Sequence, residues 1–324
     1  MNRGYVFIAL ATLFFSTMEI ALKSIAGEFH PVQINFTRFL IGGLVLLPFA
    51  RRGLREHGAK LDGGLLATFA FLGFVGIVVS MTFYQFAVEN ANASVVAVLF
   101  SCNPVFVFLF AYLILRADIR RQHVIALILE CLGAAILINP LHTDISMAGI
   151  VLSALATITF DLYAVLGTRP CARCSGVVVT CGSFLFASLE MLVLILLSHV
   201  GAVADLFMAN GLGLFANIPV FSGYSLSNIL TMLYICVGVT GGGYACYFMA
   251  IEATSALTAS LVFFFKPALA PILALIFLRE PIPINMVVGI ILILLGSLIS
   301  LIPALSVLPS LLVGRFWRWR GIDR

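Results

Sequence analysis

The sequence predicts an all-α membrane protein: ten transmembrane helices in two inverted five-helix repeats. Three observations lead there. Of 324 residues, 62% are hydrophobic and 10% are charged, against about 25% charged in an ordinary soluble domain. The apolar stretches are long enough for membrane-crossing helices of about 20 residues, and the short alternating segments of a transmembrane barrel are missing. The two halves also repeat uncommon residues at one fixed spacing.

Ten apolar segments can be read in order, at roughly 4–26, 31–50, 64–88, 93–115, 122–139, 147–168, 176–198, 227–251, 255–278 and 285–305. The first is too long for a signal-peptide core and lacks a small-residue cleavage site, so it is expected to stay as a span. With both termini in the cytoplasm, the inner loops and ends hold fourteen basic residues: Arg3; Arg51, Arg52, Arg55 and Lys60; Arg116, Arg120 and Arg121; Arg169 and Arg173; and Arg315, Arg318, Arg320 and Arg324. The outer loops hold Arg279 alone. This split orients the chain by the positive-inside rule and requires an even number of spans. The net charge of +4 is thus a topology signal, and no nucleic-acid partner is expected. The expected location is a cell membrane, crossed many times, of the bacterial plasma-membrane type.

The longest outer loop, Gly201 to Leu226, is free of Lys and Arg. It suits either a short amphipathic segment on the outer surface or a loosely ordered loop. The basic tail, residues 304–324, mixes Trp317 and Trp319 with arginines, a pattern that anchors on anionic inner-leaflet lipid. Five of the seven cysteines lie in apolar runs. Cys171 and Cys174 form a lone CxxC, read as two reduced thiols unless they serve a metal or redox role.

Pro104 and Pro267 stand 163 residues apart, and so do Tyr84 and Tyr247, Ala87 and Ala250, Glu89 and Glu252, Ala93 and Ala256, and Gly133 and Gly296. Six matches at one register mark a duplication. Five spans per half is an odd number, so the halves must enter the membrane in opposite directions. That arrangement is typical of alternating-access carriers with a midplane site.

The stretch KPALAPILALIFLREPIPINMVVGIILILLGS, with Pro267, Glu280, Gly289 and Gly296, resembles the EamA domain of the drug/metabolite transporter superfamily. The first half keeps Pro104 and Gly133 but has Ala117 and Ala126 where an acid and a glycine are expected. The resemblance covers residues 4–139 and 147–303, taken as the two repeats. It implies a secondary active transporter for a small organic metabolite, more often exporting than importing. It also places the first, third, fourth, sixth, eighth and ninth segments around a central cavity.

Lys266, in the middle of an apolar run and directly before Pro267, is the leading site candidate. A cation at that depth costs about 2.5–3.5 kcal/mol on insertion scales, and such residues are as a rule functional. Pro267 removes a backbone donor and frees the carbonyl of Phe263. Asn103 holds the equivalent place before Pro104, so the pair suggests a site shared between the halves. Tyr84 and Tyr247 offer hydroxyls and aromatic faces to it, with Ser80, Ser101 and Thr82 as weaker candidates. For Lys266 the alternative is a structural salt bridge to Asp161 or Glu190.

Glu19 and Arg38 lie at matching depth on the first two segments. Two readings stay open for Glu19: a structural pair with Arg38, or a cavity-facing acid that carries a proton or meets a substrate amine. Lys23, one turn on from Glu19, is close enough to the surface to snorkel. Asp161 matches Ser16 by distance from Gly149 and Gly4, and faces either the cavity or Thr157 on its own helix. Glu130 and Glu190 suit bonds between helices or the contact of a homodimer.

ATP-driven transport and hydrolysis are disfavoured: there is no GxxxxGKS, GxSxG or HExxH, and the five histidines lie at loops or span ends without metal-ligand spacing. No enzyme activity, cofactor or metal is expected. The expected partners are a small anionic or zwitterionic solute such as an amino acid, membrane lipid, and protons or another coupling ion. The rival readings are an enzyme acting on lipid head groups and a lipid-flipping or scaffold subunit. Alkaline phosphatase fused after Gly211 is expected to be active, and the same enzyme fused after Lys60 inactive; the reverse pattern would invert the topology.

Overall fold

The computed structural model describes residues 3–116, 121–138, 146–296 and 298–299. The end of the tenth predicted segment and the basic tail lie outside them. The described residues form helices α1 (Arg3–Ser24), α2 (Pro31–Glu56), α3 (Gly63–Asn90), α4 (Ala93–Leu115), α5 (Arg121–Ile138), α6 (Met147–Cys174), α7 (Gly176–Ser198), α8 (Gly201–Ala209), α9 (Ile229–Ala253), α10 (Ala256–Ala259), α11 (Val262–Leu278) and α12 (Ile284–Gly296). Among the described residues seven helices are long and apolar enough to cross a bilayer: α1, α2, α3, α4, α6, α7 and α9. This is a multi-pass, all-α membrane protein.

The caps explain where several helices begin. The His30 ring accepts from Val32 N–H and Gln33 reaches back to His30 N–H, with Pro31 in the first turn of α2. Asp62 accepts from Leu65 N–H at 2.7 Å to open α3; that bond and the Arg173 guanidinium hold its carboxyl below the usual range. Glu280 accepts from Ala93 N–H (2.9 Å), Ser94 N–H (3.0 Å) and the Ser94 hydroxyl (2.7 Å), and so caps α4 from the other half of the chain. A carboxylate on a helix N-terminus satisfies orphan donors and matches the dipole. Glu252 does the same for Gly176 N–H at the start of α7. Lys23 does not snorkel free: its ammonium bonds Val88 O (2.8 Å) and Ala91 O (2.9 Å) at the C-terminal end of α3.

The repeat spacing is visible in the backbone. α3 contains a π-helical stretch at Phe74–Val79, and α9 contains one at Tyr234–Gly243. α4 ends at Arg116 with φ 57°, and α11 ends at Arg279 with φ 59°, two left-handed arginines 163 residues apart. The prolines are less alike than the repeat suggests. Pro104 starts the second part of α4 after an interruption at Ser101–Cys102, where a proline needs no amide partner. Pro267 lies inside α11, and the interruption there falls earlier, at Ser260–Leu261.

Contacts between the halves are reciprocal. Gly133 on α5 meets α12 so closely that an added Cβ would fall 2.7 Å from Gly289 O, and one on Gly296 of α12 would fall 2.8 Å from Ala126 O of α5. Gly4 packs on Ala253 and Thr254, while Gly149, 145 residues on, packs on Asn90 and Ala91. Equivalent residues also touch each other: the Tyr244 hydroxyl donates to Met81 Sδ at 2.8 Å, and the rings of Phe100 and Phe263 lie 5.8 Å apart. In lipid the helices gain little from burying apolar surface, so close glycine contacts carry much of the packing.

The loop expected to be either amphipathic or loose is partly helical and tied down. It forms α8, then a segment folded over the ends of α2 and α7. The His30 ring bonds Leu214 O (2.7 Å), the Gln33 amide donates to Ser222 O (2.7 Å), and the Ser198 hydroxyl accepts from Ile218 N–H (3.0 Å). Burial holds the His30 imidazole below its usual range, against the pull of the Leu214 bond.

Gly296→Leu is expected to force α5 and α12 apart and to destabilise the protein by about 1–3 kcal/mol, the usual cost of overpacking. A fluorescence thermal-unfolding curve in detergent checks this against Gly201→Leu, where a Cβ meets nothing within 4 Å.

Candidate functional site

Two polar pairs cross the interior, each joining one half of the chain to the other. Lys266 Nζ on α11 lies 2.5 Å from Glu19 Oε1 on α1. Asn103 on α4 donates its side-chain amide to Asp161 Oδ1 on α6. Tyr84 on α3 donates its hydroxyl to the same Oε1 of Glu19. All five side chains, and that of Tyr247, have no solvent exposure.

The two pairs follow one plan. In each, the residue before the repeat proline meets an acid from the first helix of the opposite half. Each acid uses one oxygen and leaves the other, Glu19 Oε2 or Asp161 Oδ2, without a hydrogen-bond partner among the described residues. The symmetry stops at the tyrosines. Tyr84 serves Glu19, whereas the Tyr247 hydroxyl has no partner among the described residues.

Aromatic rings enclose the ammonium. Lys266 Nζ lies 4.9 Å from the Phe100 ring centre, 5.8 Å from Phe263 and 5.9 Å from Tyr84. Cation–π contact of this kind contributes about 0.5–2 kcal/mol, more when water is excluded. Phe160 extends the cluster, 5.3 Å from Phe100 and 5.7 Å from Tyr247, and Phe15 lies 6.0 Å from Phe263. The quartet Phe15, Phe100, Phe160 and Phe263 was not among the sequence candidates. A signal for it existed: Phe100 and Phe263 share the 163-residue spacing, and Phe15 and Phe160 the 145-residue spacing of Gly4 and Gly149.

Several expectations need correction. Arg38 does not pair with Glu19; its guanidinium sits 4.6 Å above the ring of its neighbour Phe39. Matching depth on a hairpin does not fix which way each helix turns its side chain. The partner of Lys266 is Glu19, neither Asp161 nor Glu190. Asp161 bonds Asn103, and Thr157 spends its hydroxyl on Ser153 O at 2.8 Å. The weaker candidates Ser80 and Ser101 also bond backbone carbonyls, Ala156 O (2.8 Å) and Ala97 O (2.6 Å). Glu280 is a helix cap, remote in role from the polar interior.

The sequence profile of the EamA-like transporter family matches residues 2–139 and again 147–302. The chain belongs to the EamA-like transporter family. It is 36% identical over 308 residues to a protein named as an uncharacterized transporter of Clostridium kluyveri, with 93% of each chain covered. A second such protein, from Archaeoglobus fulgidus, is 23% identical over 91% of this chain and 97% of its own. Protein PecM of Dickeya dadantii is 25% identical over 68% of each chain. A solved crystal structure of another protein superposes with a TM-score of 0.66 over 93% of this chain and 98% of that one, at 18% identity, a likeness of fold. Membership supports a membrane transporter of the drug/metabolite type.

Removing one partner of a buried ion pair leaves the other charge stranded, at a cost of about 3–5 kcal/mol. Glu19→Gln and Lys266→Met are each expected to lower thermal stability by that order, and the double variant to regain most of it. A double-mutant cycle of unfolding in detergent reads this out; two additive losses would mean the pair is not coupled.

Proposed function

We propose that this EamA-family transporter is a secondary active carrier for a small organic solute bearing a carboxylate or phosphate, working by alternating access between two inverted five-helix halves. The observation that carries this reading is the cross-half pairing of Lys266 with Glu19. Reciprocal contacts such as Gly133 on Gly289 and Gly296 on Ala126 are what a two-fold axis generates. With five crossings per half, that axis lies in the membrane plane, and α5, the α10–α11 unit and α12 make up ten spans with the seven long helices.

In this reading the buried site is an occluded state. Both pairs join opposite halves, so a rocking motion that opens either side must part them. A solute anion takes the place of Glu19 on Lys266, which offsets the cost of stranding the ammonium. Glu19 is then neutralised by a proton or by the solute's own amine, which its unpartnered Oε2 is placed to accept. Tyr84, Tyr247 and Asn103 shape the pocket, and Asp161 is the second acid. The solute class that fits best is an amino acid or related metabolite, moved outward across a bacterial plasma membrane, with both termini cytoplasmic.

Lys266→Ala is expected to abolish counterflow of a labelled solute into proteoliposomes, at least a 10-fold loss by the size of a charge-assisted contact, while the protein still inserts and stays monodisperse. Near-normal counterflow would remove the lysine from the site. Lipid scrambling without solute movement would replace the carrier reading with a lipid-flipping one.

A further inference from the structure

Among the described residues one fully buried cation stands outside both pairs. The Arg38 side chain on α2 has no solvent exposure, and its Nε, Nη1 and Nη2 have no hydrogen-bond partner among the described residues. Its near neighbour is the Phe39 ring, itself held edge-on by Phe184 at 4.8 Å and Tyr244 at 5.7 Å. A guanidinium does not give up its proton in a protein, and it presents donors in a flat fork. Buried groups of this kind are almost always satisfied, and an isolated buried charge is strongly disfavoured.

The surroundings of Arg38 are also short of partners. Asn35, one turn back on α2, donates to Met81 O at 2.8 Å, and its Oδ1 is unpartnered. The Thr240 hydroxyl on α9 is buried and unpartnered. The Phe39 ring beneath Arg38 meets Tyr244, and Tyr244 meets Phe15 (5.1 Å) and Phe160 (5.9 Å), two rings of the cluster around Lys266. Arg38 therefore borders the aromatic interior that encloses Lys266, approached from α2. The facing part of α9 is the π-helical stretch, where Gly42 of α2 sits so close that a Cβ would lie 3.2 Å from Cys236 O. Such stretches recur at functional sites.

We propose that Arg38 is the receptor for the solute's oxyanion, taking two oxygens of a carboxylate or phosphate on its fork. This rests on the carrier reading above and adds an order of events. Lys266 already has a counter-charge in Glu19, whereas Arg38 has none among the described residues, so the arriving anion meets Arg38 before the ion pair opens.

The test uses the full-length protein in detergent, as wild type, Arg38→Met and Arg38→Lys. The probes are L-phenylalanine against L-phenylalaninamide for a carboxylate, and glycerol 3-phosphate against glycerol for a phosphate. At least one oxyanion is expected to raise the wild-type unfolding temperature, and its uncharged-end counterpart to leave it unmoved; which one responds separates carboxylate from phosphate. Without ligand, Arg38→Met is expected to unfold at a higher temperature than wild type, because an unmatched buried charge has gone. It should bind the responding oxyanion about 10-fold or more weakly, and Arg38→Lys, with charge but no fork, should fall between. Arg38→Met that unfolds earlier and keeps full affinity would make the arginine structural and overturn the proposal, as would a wild type that no oxyanion shifts. A response kept in Arg38→Met but lost in Lys266→Ala would overturn the role of Arg38 and leave the carrier reading intact.

Discussion

The structure turns on one constraint: a lysine and a glutamate held 2.5 Å apart in a place where neither water nor lipid can serve as substitute. Desolvating two such charges costs several kcal/mol each, and only a close partner offsets it. The partner comes from the opposite half of the chain, so the local requirement of one ammonium becomes a requirement on how the two halves meet. The aromatic rings around it act in the same sense. They exclude water, which strengthens the pair, and their faces stabilise the ammonium directly.

The second cross-half pair, Asn103 with Asp161, repeats the geometry with different chemistry. An amide can be parted from a carboxylate at less cost than an ammonium can. The two arms are therefore alike in shape and unlike in strength. The Tyr247 hydroxyl, without a partner among the described residues where Tyr84 has Glu19, sharpens that difference.

Much of the architecture was legible beforehand because lipid imposes coarse rules. Long apolar runs must be helices, and the segments at 31–50, 64–88, 93–115 and 176–198 fall within or along α2, α3, α4 and α7. Lys266, Glu19, Tyr84, Asn103 and Asp161 stood out because a polar group in such a run needs a reason. Their partners did not. Depth along a helix follows from residue number at about 1.5 Å per residue, but rotation about the helix axis and the choice of neighbour are set by tertiary packing. Equal depth therefore leaves two readings open for Glu19, a pair with Arg38 or a cavity-facing acid, and does not name Lys266 as its partner. The phenylalanines are hard to read for a different reason: in a chain with 28 of them, identity alone carries no information, and only the repeat spacing singles out these four.

The self-contacts of equivalent residues have a consequence for how such a chain can arise. Phe100 touching Phe263, or Met81 touching Tyr244, is the kind of contact that two like units make across a shared axis. A homodimer must place the same residue on both sides of its axis, so a lysine before the proline would appear twice. Once the halves are fused, each can drift alone. Here one half carries asparagine before its proline and the other lysine, so the interior holds one such ammonium where two identical halves would hold two.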